Sequence, residues 1–92
     1  MDAAPGSYVV ECFWPDVVED DVRALDARIV AALADGVRYL GSLLIREDEV
    51  VLCQFEGTAD AVRDVAERAR VPFERVLATS VARPEDQRSP DA

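Results

Sequence analysis

Ser7-Tyr8-Val9-Val10-Glu11-Cys12-Phe13-Trp14 is the first apolar run of the chain, and it stops at Pro15. Apolar residues fall on both parities, the pattern of a strand covered on both faces. Glu11 interrupts it. A carboxylate on a covered surface must be paired, protonated or used. The strand therefore raises two questions: what covers each face, and what Glu11 does on one of them.

Downstream of it, Val22, Leu25, Ile29 and Leu33 recur at helical spacing and predict a helix over 18–34. Asp16 is the expected N-cap, and Glu19, Asp20 and Asp21 load the first turn with the charge that the helix dipole favours. Gly36 stops it. Residues 38–46 and 49–56 read as two strands, with Glu47-Asp48 between them at hairpin spacing. Thr58 caps a second helix over 59–70, whose apolar stripe is Val62, Val65, Ala66 and Ala69. Residues 74–82, with Val76, Leu77 and Val81, read as a last strand. Residues 1–6 are expected to form a flexible leader, 7–82 the domain, and 83–92 a disordered polar tail.

The order β-α-β-β-α-β is that of the ferredoxin-like split βαβ unit, an α+β fold. It implies a four-stranded antiparallel sheet with both helices on one face and the first and third strands central. Side-chain parity follows from the hairpin. A two- or four-residue connection pairs Leu44 with Val51, Ser42 with Cys53 and Leu40 with Phe55. Val51, Cys53 and Phe55 are all apolar and should face the helices together with Val10 and Cys12. The opposite parity would bury Glu11 and Gln54 under the helices, a cost of several kcal/mol if unpaired (roughly 2–7 per polar group).

The remaining face holds Val9, Glu11 and Phe13, then Tyr39, Gly41, Leu43 and Ile45, then Val50, Leu52, Gln54 and Glu56. This face is too apolar to meet water, and such patches mark interfaces. A second copy packed sheet to sheet, as a dimeric α/β barrel, is the expected cover. The candidate site on that face comprises Glu11 as an acid–base residue, with Phe13, Tyr39, Leu43, Leu52, Gln54 and Glu56 as ligand-binding residues, and Gly41 leaving room opposite Gln54. A carboxylate, a phenol and an amide on an apolar floor suit a small hydrophobic molecule. They also suit cofactor-free acid–base chemistry of the cyclase, isomerase or oxygenase type, with Glu11 moving the proton. Alternatively, Glu11 serves only to pin two subunits together.

Bulk composition limits the partners. Ninety-two residues make one domain, and a net charge of −9 argues against nucleic acid and anionic membranes. All ten basic residues are Arg, and there is no His. No apolar run approaches the roughly 18 residues of a membrane span, and the N-terminus has no signal-peptide pattern, so a cytoplasmic location is expected. Cys12 and Cys53 then read as reduced core thiols. The acidic runs Glu19-Asp20-Asp21 and Glu47-Asp48-Glu49 read as a helix start and a hairpin tip. No glycine-rich phosphate loop, nucleophile elbow or dinucleotide fingerprint is present, and no cofactor is expected.

Several stretches taken together carry a resemblance. They are Tyr8-Val9-Val10-Glu11, Val37-Arg38-Tyr39-Leu40-Gly41-Ser42, 48–57, Ala59-Asp60-Ala61-Val62-Arg63 and Val71-Pro72-Phe73-Glu74-Arg75-Val76. Over residues 8–81 the chain resembles a family of small bacterial proteins described as nickel-binding or as an uncharacterised ferredoxin-like domain. The resemblance implies the same fold and a homodimer. Nickel binding in that family leans on histidines, so no ligand transfers to a residue of this chain.

Overall fold

Four antiparallel strands and two helices follow one another as β1 (Gly6–Phe13), α1 (Glu19–Ala32), β2 (Arg38–Ile45), β3 (Val50–Gly57), α2 (Ala59–Arg68) and β4 (Arg75–Thr79). The computed structural model describes residues 5–80. The expected tail and most of the leader lie outside the described residues, while Gly6, assigned to that leader, opens β1. The sheet order is β2-β3-β1-β4, and every neighbouring pair is antiparallel. This is the ferredoxin-like α+β arrangement, with β1 and β3 central.

The register explains which side chains enter the core. Val10 stands opposite Cys53, Cys12 opposite Val51 and Tyr8 opposite Phe55, so these residues share one face. Val10, Cys12, Val51, Cys53 and Phe55 are fully buried there. Val22, Leu25 and Ile29 of α1 and Val62, Val65 and Ala66 of α2 cover them. Each large side chain so buried contributes about 1.5–3 kcal/mol. The two helical stripes expected from spacing are the ones that pack, except that Leu33 stands just past the end of α1 as its C-cap and is only half-buried.

Local signals at the helix ends divide. Thr58 caps α2, its Oγ1 accepting from the Ala61 N–H at 3.2 Å. Asp16 does not cap α1. The N-cap is Val18, whose N–H is met by Asp21 Oδ2 at 3.0 Å, so the first-turn acid does the work from inside. Asp16 instead adopts a left-handed turn (φ +62°) and donates its N–H to Glu49 Oε2 at 2.8 Å, tying the end of β1 to the hairpin. That hairpin has a four-residue connection, 46–49, between the paired Ile45 and Val50.

The helices also finish each other. Arg28 of α1 donates to the carbonyls of Ala69 (2.9 Å) and Arg70 (3.3 Å), beyond the C-terminus of α2. Arg68 of α2 donates to the Ala32 carbonyl at the C-terminus of α1, at 2.6 Å. Helix C-termini leave carbonyls without partners and carry partial negative charge, so a guanidinium satisfies both needs.

Candidate functional site

The uncovered face of the sheet is built from cross-strand rows. Ile45, Val50 and Phe13 form the first, and Leu43, Leu52, Glu11 and Arg75 the second. Gly41, Gln54, Val9 and Leu77 form the third, and Arg38, Glu56, Ser7 and Thr79 the fourth. The face grades from apolar at the hairpin end to polar at the other. Phe13, Leu43 and Ile45 are 52%, 53% and 37% exposed, while Val9, Val50, Leu52 and Leu77 are half-buried.

Six of the seven candidate-site residues lie on this face: Glu11, Phe13, Leu43, Leu52, Gln54 and Glu56. Tyr39 does not, and its placement there is corrected. β2 carries a bulge between Tyr39 and Gly41, so Gly41 still meets Gln54 while Tyr39, not Leu40, meets Phe55. One extra residue reverses side-chain parity upstream of it. Gly41 makes the bulge possible, with φ +118° in a region that side-chain-bearing residues avoid.

Tyr39 therefore points under α1. Its ring lies 5.0 Å from that of Phe55, centroid to centroid, and its hydroxyl donates to Asp26 Oδ1. Ser42 Oγ reaches the same carboxylate at 3.0 and 3.2 Å. Burial first, then the bond to Asp26, pushes the Tyr39 phenol above its ordinary value, so it remains a neutral donor. This network joins α1 to β2 and lies on the opposite side of the sheet from Glu11.

The same parity reversal puts Arg38 on the open face, where its Nη1 meets Glu56 Oε1 at 2.9 Å. Glu11 has a partner within its own chain as well. Arg75 stands opposite it on β4, and Nε donates to Glu11 Oε1 at 2.6 Å. The Glu11 side chain is 25% exposed, and its bond pushes the Arg75 guanidinium above its usual value. Two carboxylates and two guanidiniums thus cancel on this face, within a chain of net charge −9. Gln54 lies in the row between the two ion pairs, beside the position that Gly41 leaves without a side chain. A Cβ built on Gly41 would meet nothing within 4 Å, so the floor is open there.

Sequence reasoning missed Arg38 because a bulge has no alternation to reveal it. It missed Arg75 because the register of β4 against β1 is a long-range pairing. The cysteines take their expected core positions. Both are fully buried, and hydrogen bonding to Cys53 followed by burial pushes the Cys12 thiol up.

The donor set does not suit nickel. Imidazole and thiolate are the donors such a cation favours, and the chain has no histidine. Its two cysteines are sealed beneath the helices. Among the described residues no group of three or more His, Cys, Asp or Glu is arranged to hold a metal ion. No helix of the described residues is long and apolar enough to cross a membrane. No family model matches the chain, and no curated protein matches it.

Proposed function

We propose that the chain is a small ligand-binding module that works as a homodimer. A second copy covers the open sheet face, and a small apolar molecule occupies the space between the sheets. The observation that carries this reading is the cluster of exposed Phe13, Leu43 and Ile45 on the one sheet face that the helices leave bare. Exposed apolar groups of this size, gathered on one side, mark a surface meant to be covered.

Charge supports a second copy as the cover. Two chains of net charge −9 repel wherever their acidic surfaces meet. The open face is internally neutral, because Glu11 is answered by Arg75 and Glu56 by Arg38. Gln54 and the gap over Gly41 provide the ligand with one amide and a place to enter the floor. An acid–base enzyme would need Glu11 to release Arg75 when substrate arrives; a binding module does not. A reducing cytoplasm, where the buried thiols stay reduced, is the compartment that fits.

Sedimentation equilibrium at micromolar concentration tests the assembly, and native mass spectrometry of the purified protein tests the ligand. A dimer that Leu43→Glu converts to a folded monomer, with a retained organic molecule lost alongside, is the expected result. A parent chain that is monomeric at tens of micromolar would sink the proposal.

A further inference from the structure

On the other side of the molecule, away from the open sheet face, a groove of about 470 Å³ lies where the helix ends meet. Arg28, Ala31, Ala32, Arg68, Ala69 and Arg70 line it. Half of that lining is Arg, in a chain with nearly twice as many acids as bases. The other half is Ala, which keeps the floor low and the guanidiniums accessible.

These guanidiniums are not used up by the fold. Arg28 employs Nε and one Nη2 proton on the carbonyls of residues 69 and 70, and Arg68 employs one proton on Asp64 and one on Ala32. A guanidinium has five N–H donors, so each keeps three. Asp64 answers the charge of Arg68 alone. Among the described residues the Arg70 guanidinium meets no acceptor.

The backbone at Arg70 gives a second, separate observation. α2 ends in a Schellman turn, with the Arg70 N–H on the Glu67 carbonyl and the Val71 N–H on the Ala66 carbonyl, both at 3.0 Å. Arg70 occupies the left-handed position of that turn, at φ +60°. Glycine is the usual occupant, because a side chain there is strained. A long cation stands where glycine would fit better, and it stands at the edge of a groove with two other cations. We propose that this groove binds a small oxyanion, a carboxylate or phosphate group, held by the remaining donors of Arg28 and Arg68 and by Arg70. Guanidiniums match both groups because their paired N–H bonds fit two oxygens at once.

Arginine Nε–Hε resonances of the full-length 15N-labelled protein report on the site directly. Sodium phosphate and sodium succinate are titrated separately, with sodium chloride adjusted to hold ionic strength constant. Saturable shifts at Arg28, Arg68 and Arg70, with Arg23 and Arg63 unmoved, are expected for at least one ion; comparison of the two assigns phosphate or carboxylate. Arg28→Ala removes helix-end bonds and perturbs the fold, so Arg70→Gly is the decisive variant. It should raise or preserve the melting temperature while weakening oxyanion binding about tenfold, the worth of one charge-assisted hydrogen bond. Absence of saturation with both ions, equal shifts at Arg23 and Arg63, or an Arg70→Gly variant that binds like the parent would each overturn the proposal.

Discussion

Arg75 Nε donates to Glu11 Oε1 at 2.6 Å, joining the first residue of β4 to the middle of β1 on the uncovered face. Arg75 is 63% exposed in the single chain, so water screens the pair and it adds little to the stability of that chain. Under a second copy the same pair would be desolvated, and removing one member would strand a charge in a dry interface. Arg75→Ala is thus expected to shift the urea midpoint of a dilute monomer slightly and to weaken dimerisation strongly. Equilibrium unfolding and sedimentation on the same variant separate the two effects. Equal small changes in both would show that this face stays wet.

Gly41 tests the bulge without a steric complication. Gly41→Ala meets open space, so its cost is the backbone at φ +118° alone, about 1–3 kcal/mol. Gly57→Ala differs, because its Cβ would lie 2.9 Å from the Gly36 carbonyl oxygen, on rigid backbone. Thermal unfolding should therefore rank Gly57→Ala as the more damaging of the two.

Tyr39 and Asp26 make a pH-dependent contribution. The folded-state phenol has a raised pKa, so its contribution is complete below the ordinary value of about 10 and is lost as pH rises beyond it. Urea midpoints measured from pH 8 to 11.5 should fall through that window. Tyr39→Phe should start lower, by about 0.5–1.5 kcal/mol for the lost hydrogen bond, and then fall less steeply.

The thiols should be inert in the native protein. Cys12 and Cys53 are fully buried, and a thiol enclosed beneath the helices is out of reach of an attacking reagent. Labelling with a maleimide is expected to leave both unmodified in buffer and to modify both in 8 M urea, as read by intact mass. Their diagonal register on β1 and β3 sets the Cα atoms about 7–8 Å apart, outside the usual disulfide range. A native disulfide found under mild oxidation would contradict that register.

The legible part of this fold was local. The stripes Val22, Leu25, Ile29 and Val62, Val65, Ala66 declare two helices by spacing alone, and Val51, Cys53 and Phe55 declare the inner face of β3 by alternation. The candidate site depended on two facts that are not local. Arg75 reaches Glu11 through a pairing of elements at opposite ends of the chain. Tyr39 changes sides because one residue is inserted where Gly41 can absorb it, and neither residue type announces on which side of the bulge the count restarts. Asp16 was misplaced for a similar reason: an acid three residues before a helix resembles a cap, yet its N–H is claimed by Glu49 across the hairpin.

The inserted residue in β2 also affects how this chain can be compared with others. A protein that builds the same strand without a bulge would carry its inward aromatic one place away, beside Leu40 rather than Tyr39. Laid against such a protein without a gap, this chain would agree on one side of Gly41 and be out of phase on the other. Matches made on hydrophobic pattern would then pair Arg38 with an inward residue and Tyr39 with an outward one. Only a one-residue gap at Leu40 brings chemically equivalent positions into the same column.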